Sequence, residues 1–146
     1  MRIREAHMQD LDSLASLLDL YRQFYETAAD LAAAREFLEQ RMTRKESVIF
    51  VAETNGDLTG FVQLYPSFSS TRLKRQWILN DLFVRETDRK NGTGEALLRR
   101  AMDFGTRDGS RGLTLMTAVT NERARRLYEK LGWKKNETFL TYNFYL

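Results

Sequence analysis

Arg89 to Gly94 read RKNGTG, and the pattern Arg-x-x-Gly-x-Gly set by Arg89, Gly92 and Gly94 suits the holding of a phosphate. Two residues without Cβ let backbone N–H groups approach anionic oxygens, and a helix that starts at once adds the positive end of its dipole. Lys90, Asn91, Thr93 and Glu95 complete the turn. It is not a P-loop, because Ala96 follows Glu95 where Lys and Ser or Thr would be needed. It also lacks the third glycine or alanine of the dinucleotide fingerprint, where Leu97 stands. A second candidate is Asp81, a carboxylate inside the apolar run Trp77 to Val84, where burial is costly unless a partner or a solvent channel meets it. A third is Tyr128, seven residues after Asn121, so that on a helix the two project from nearly one face.

Several other chemistries are excluded by what the chain lacks. It has no cysteine, which removes disulfides, thiol catalysis and cysteine-ligated zinc. A single histidine, His7, leaves no histidine-rich metal site, and no metal is expected; His7 itself is expected at the surface or at a helix entry. The 23 Lys and Arg against 20 Asp and Glu leave a net charge of only +3, so charge alone does not argue for nucleic acid. Basic clusters do occur at Arg41 to Lys45, Arg72 to Arg75, Arg89-Lys90 and Arg123 to Arg126, but no nucleic-acid motif accompanies them. No apolar stretch is long enough to span a bilayer and the N-terminus lacks a secretory core, so the expected location is cytoplasmic, away from membranes.

The elements that must position these residues follow from periodicity. Ile3 to Ala6 predicts a strand, and Leu11 to Tyr25 an amphipathic helix with Asp10 as its cap. A second helix is expected from Asp30 to the basic stretch after Met42. Val48 to Ala52 and Leu58 to Tyr65 predict a hairpin through Asn55-Gly56, with Pro66 ending the second strand or lying in the loop after it. Gln76 to Val84, nearly continuously apolar, predicts a central strand. A helix over Glu95 to Phe104 follows, its end punctuated by Gly105 and Gly109. Leu113 to Val119 predicts a strand, Asn121 to Leu131 a capped helix ended by Gly132, and Thr138 to Tyr145 a last strand. With 146 residues, no repeat and no linker, residues 1–146 are expected to form one α/β domain of α+β type, a mixed sheet flanked by helices.

The strand LNDLFV, the turn RKNGTG and the segment TNERARRLYEKLGW together resemble the GNAT superfamily of N-acetyltransferases, over about Gly60 to Trp133. GFVQLYPSFSS with KRQWILNDLFV is most similar to the small polyamine and histone acetyltransferase branch that includes spermidine/spermine N-acetyltransferase. The resemblance implies a mainly antiparallel sheet splayed at its centre, acetyl-CoA as co-substrate, an amine acceptor and a homodimer. It implies that the pantetheine arm pairs with the backbone of Leu82, Phe83 and Val84, that Arg89 to Glu95 hold the pyrophosphate, and that Asn121 and Ala124 border the arm. It also implies that Tyr128 protonates the departing thiolate. A backbone N–H near Phe83 or Val84 is placed to polarise the thioester carbonyl.

An alkylamine of lysine type is mostly cationic at neutral pH and must lose a proton before it attacks. In the branch this chain resembles, a glutamate precedes the strand's aspartate; here Asn80 occupies that position. Asp81 is then the candidate base, with Asn80 orienting the amine or a water; a carboxylate held structurally beside a strand bulge is the other reading. Phe24 and Tyr25 fall where the resembling enzymes line their acceptor channel, and Tyr21, Tyr65 and Trp77 are either core or acceptor contacts. With no cysteine for a covalent acyl-enzyme, direct transfer in a ternary complex is expected. A non-catalytic acyl-CoA-binding regulatory module is the alternative reading.

Overall fold

Asn55 and Gly56 both take positive φ, 53° and 83°, the conformation a tight hairpin turn demands, and they join β2, Val48–Thr54, to β3, Asp57–Ser69. In the computed structural model, which describes residues 1–146, this hairpin lies inside a five-stranded sheet of order β1-β2-β3-β4-β5. The outer strands are β1, Arg2–Glu5, and β5, Leu113–Thr114, and β4 spans Lys74–Val84. All pairings are antiparallel except β4 with β5. The mixed sheet flanked by helices is therefore as the sequence predicts.

The chain divides into two compact units, Met1–Leu115 and Met116–Leu146. In the first, α1, Leu11–Phe24, and α2, Leu31–Thr43, cover one face of the sheet. Leu14, Leu17 and Leu38 pack there with Ile49, Val51, Phe61 and Phe83 in one buried cluster. The opposite face receives α3, Thr93–Arg107, through Leu97, Leu98 and Ala101, with the Phe104 ring against Phe50 at 5.6 Å and Trp77 at 5.1 Å. The second unit contains α4, Glu122–Lys130, which ends where Trp133 N–H donates to the Tyr128 carbonyl and Gly132 takes φ 93°. No helix is long and apolar enough to cross a membrane.

Several expectations need correction. Asp10 is the residue before α1 but does not cap it with its side chain: Arg4 binds its carboxylate at 2.8 and 2.9 Å, and the His7 N–H donates to it at 2.7 Å. Asp30 does cap α2, accepting from Ala33 N–H. Pro66 lies within β3, opposite Trp77. Trp77 N–H points at Gly112, so the Pro66–Trp77 pair is not hydrogen-bonded and the proline nitrogen faces the side where β2 has already ended at Val48–Leu64. Gly105 lies inside α3 rather than at its end, because Leu113 occupies the space a side chain there would need.

Two strands are shorter or absent. The predicted strand Leu113 to Val119 pairs only as Leu113–Thr114, because β4 carries a bulge two residues beyond Ile78 that turns it from this neighbour. Thr138 to Tyr145 forms no strand. Asn136 accepts from Thr138 and Phe139 N–H in a local turn in place of a ladder, and Phe139, Tyr142, Phe144 and Tyr145 stand exposed.

Candidate active site

The bulge in β4 sets the site. Gln63 pairs with Asp81 but its neighbour Leu64 pairs with Leu79, so Asn80 is the extra residue. Were Asn80 paired in a regular ladder, Leu79 and Asp81, two residues apart, would share a face. With Asn80 bulged out, Trp77 stays on the α3 side while Asp81 and Phe83 turn to the α1/α2 side, opposite Gln63 and Phe61. β4 pairs with β5 only at Trp77–Leu113 and Ile78–Thr114, which leaves its edge open from Leu79 to Val84. This opening is the splay.

The ladder says which backbone groups face it. Arg85 N–H donates to the Thr59 carbonyl at 2.8 Å, so by alternation the Phe83–Phe61 and Asp81–Gln63 pairs are hydrogen-bonded, and Leu82 and Val84 turn their N–H and C=O away from β3. Of the three residues expected to pair with a pantetheine arm, Leu82 and Val84 present backbone groups at the open edge, and Phe83 has its own committed to Phe61. Gly60 lets this region close up: a Cβ there would lie 2.7 Å from the Phe83 carbonyl oxygen.

Asp81 is 6% exposed, and its carboxylate accepts from Gln63 Nε2 at 2.8 Å and Asn80 Nδ2 at 3.0 Å. Burial raises its pKa above the ordinary carboxylate range, and these two hydrogen bonds pull it part of the way back. Gln63, fully buried, accepts in turn from Ser47 Oγ at 2.8 Å. Tyr65, two residues along the same face of β3, has its phenol pushed up to about 12, first by burial and then by the Asp81 charge. Sequence reasoning missed Gln63 and Ser47. The signal was the alternation Phe61, Gln63, Tyr65, but placing Gln63 opposite Asp81 needs the register across the bulge.

Aromatic side chains border this carboxylate. The Tyr21 hydroxyl donates to the Asn80 carbonyl at 3.4 Å, and its ring meets Tyr25, Phe61 and Phe83 edge-on. Phe24 and Tyr25, at the end of α1, are 58% and 52% exposed and form a rim. Trp77 takes no part: it lies on the α3 side with its indole N–H on Asp108. Arg89 donates from Nε to the Val84 carbonyl at 2.9 Å, with its guanidinium 5.6 Å from the Phe24 and Phe83 ring centres. The Arg89 side chain is thus tied to β4 in this structure.

The turn has the form of an anion cradle. A 3₁₀ turn at Glu86–Asp88 is fixed by Arg85, whose Nε lies 2.6 Å from the Asp88 carboxylate and holds its pKa down. Lys90 takes φ 69° and Gly92 φ 78°, after which α3 begins. Gly92 is the N-cap and has no side chain to offer, so no side chain caps the first-turn N–H groups of Thr93 and Gly94. Asn91 is exposed beside them and Thr93 is buried. In the second unit, Asn121 caps α4, accepting from Ala124 N–H at 3.4 Å and donating to Thr117. Tyr128 packs its ring 6.0 Å from Trp133. No group of His, Cys, Asp and Glu side chains is arranged to hold a metal.

A sheet edge thus opens beside a glycine-capped helix, with a buried carboxylate behind it. The comparisons specify the class. Residues 14–133 match the model of the acetyltransferase (GNAT) family. The uncharacterised N-acetyltransferase YhfO of Bacillus subtilis is 46% identical over 142 residues, 97% of this chain and 95% of its own length. A "probable acetyltransferase" of Haemophilus influenzae is 36% identical over 71% of this chain and 72% of its own. A crystal structure of a "probable acetyltransferase" superposes with a TM-score of 0.95 at 40% identity, covering 100% of this chain and 98% of that one. The chain belongs to the GNAT family and is an acyltransferase.

Proposed function

We propose that this protein moves an acetyl group from acetyl-CoA directly to a primary amine in a ternary complex, with residues 1–146 acting as one domain. Acetyl-CoA supplies an activated thioester carbonyl. The open edge at Leu82 and Val84 fits its pantetheine amides, and the turn from Arg89 to Glu95, with Lys90, Asn91, Gly92, Thr93 and Gly94, fits its pyrophosphate. On this reading Arg89 contributes backbone while its side chain orders β4. Val84 N–H, which faces the opening, is the donor assigned to the thioester carbonyl.

The observation that carries the reading is the Asp81 carboxylate, buried and held by two neutral amides. A carboxylate whose pKa is raised by burial is closer to the working pH of a base, and an ammonium group entering beside it gains its charge partner there. Asn80 holds Asp81 and orients the amine, Phe24 and Tyr25 line the approach, and Tyr128 returns a proton to the thiolate, with Asn121 and Ala124 beside the arm. A polyamine or lysine-like acceptor agrees with the aromatic rim, since cations stack on such rings. Release of the CoA thiol should be measured with 1,4-diaminobutane, spermidine, a lysine-containing peptide and an aminoglycoside. Turnover with a cationic amine is expected; saturable acetyl-CoA binding without turnover on any of them supports the regulatory-module reading instead.

The exposed run Phe139, Leu140, Tyr142, Phe144, Tyr145 and Leu146 supports a homodimer. Its apolar residues suit a strand covered on both faces, and β1 and β5 are open edges that a second copy can extend. Light scattering on the chain and on a version ending at Asn136 checks this: dimer and monomer are expected, and a monomeric full chain removes it.

A further inference from the structure

Gln63 is a polar side chain at the centre of the sheet, and none of the chemistry expected from sequence uses it. It is fully buried, it bridges Ser47 Oγ and Asp81 Oδ2 at 2.8 Å each, and no buried side-chain nitrogen or oxygen lacks a partner. We propose that Gln63, oriented by Ser47, is the positioning residue for the Asp81 base, and that the three form a reversible relay able to satisfy Asp81 both with and without its proton.

The three groups differ in what they can donate and accept. An ionised carboxylate only accepts, so the Gln63 amide must turn its NH₂ to Asp81 and its carbonyl to Ser47, whose hydroxyl then donates. When an ammonium acceptor transfers its proton, an N–H bond breaks, an O–H bond forms on Asp81, and the acceptor is left as a neutral amine. The new carboxylic acid is a donor. A half-turn of the Gln63 amide then presents its carbonyl to Asp81 and its NH₂ to Ser47, whose hydroxyl can equally accept. Either state leaves every buried polar atom bonded, so neither is penalised by an orphaned group.

The choice of a neutral amide also matters. An arginine in place of Gln63 would hold the same oxygen but stabilise the charge strongly and weaken the base. The charged and titratable groups facing this position are the Tyr65 phenol from β3, the Tyr21 hydroxyl on Asn80 from α1, and Arg41 from α2, whose charge acts on Tyr65. Asp81 itself has only the two amides as side-chain hydrogen-bond partners. Its basicity is therefore set by burial against two neutral donors, and one of these is in the hands of Ser47.

The inference rests on Asp81 being the base, and the test separates the two. The Asp81 carboxyl is titrated by carbon NMR in the full chain, assigned by its loss in Asp81→Asn, and compared with Gln63→Met and Ser47→Ala. Removing the donor moves the midpoint to higher pH in Gln63→Met, and the same direction with a smaller shift is expected in Ser47→Ala, which also serves if Gln63→Met does not fold. In turnover with 1,4-diaminobutane or spermidine, the acidic limb of kcat moves up in parallel, so that kcat at neutral pH falls about tenfold in Gln63→Met and recovers as pH rises. A midpoint unmoved in folded Gln63→Met, or in Ser47→Ala, overturns the relay. An Asp81→Asn chain with wild-type turnover instead removes the base, whatever Gln63 does.

Discussion

The two halves of β4 face different worlds. From Lys74 to Leu79 the strand has β3 on one side, β5 on the other at Trp77 and Ile78, and a tryptophan packed against α3. From Asp81 to Val84 it keeps β3, loses β5, and turns a carboxylate and a phenylalanine to the α1/α2 face. One residue, Asn80, lies between them. A bulge puts residues two apart on opposite faces and increases local twist, so one bulged residue lets Leu79 and Asp81 face different layers and opens the edge.

Deleting Asn80 breaks that difference most directly. Asp81 would keep its place opposite Gln63 but lose the Asn80 amide and the added twist of the bulge, and acetyl transfer is expected to fall by at least about 10²-fold as the edge closes, with the fold retained. Turnover and circular dichroism on one preparation check this. A smaller effect comes from Gly60→Ala on the facing strand, where the added carbon meets the Phe83 carbonyl; a destabilisation of about 1–3 kcal/mol in urea is expected, with turnover lowered through the displaced β4. Gly92→Ala sharpens the contrast at the far end of the open half. Its left-handed φ of 78° costs an alanine roughly 1–2 kcal/mol, and KM for acetyl-CoA is expected to rise more than kcat falls.

The smallest effect lies away from β4. Asp10, whose pKa is depressed first by its hydrogen bonds from Arg4, contributes stability that is present above the usual aspartate pKa and lost as pH falls through the lowered value. Arg4→Met should therefore reduce Tm at neutral pH, and its difference from the wild type should shrink in acid, as followed by calorimetry. Asp81 has the opposite sign. Its raised pKa means that ionisation costs stability in the folded chain, so the neutral carboxyl's contribution is fully present below the unfolded pKa and lost as pH rises through the folded one.

Much of this architecture is legible in the sequence. Asn55-Gly56 announces its turn, Asp30 and Asn121 announce their caps, and the apolar spacing of Leu11 to Leu18 announces the face that α1 buries. Those signals are local. The turn at Arg89 to Gly94 was readable for the same reason, since a left-handed Gly92 before a helix is a property of a few adjacent residues. What could not be read is set by pairing across distance. Gln63 meets Asp81 only because the bulge falls at Asn80, and Pro66 stays in β3 only because its nitrogen faces a side β2 has vacated. The shortness of β5 follows from its neighbour, and the C-terminal segment carries a strand pattern but makes a local turn at Asn136.

The decisive measurement is made on Asp81→Asn, by following acetyl-CoA binding by calorimetry, turnover with a cationic amine, and Tm at neutral pH in parallel. If the buried carboxylate is the base, acetyl-CoA binding is unchanged, kcat falls by about 10²–10⁴, and Tm rises because an uncompensated charge has left the interior. A variant that turned over at the wild-type rate, with no gain in stability, would contradict the role assigned to Asp81.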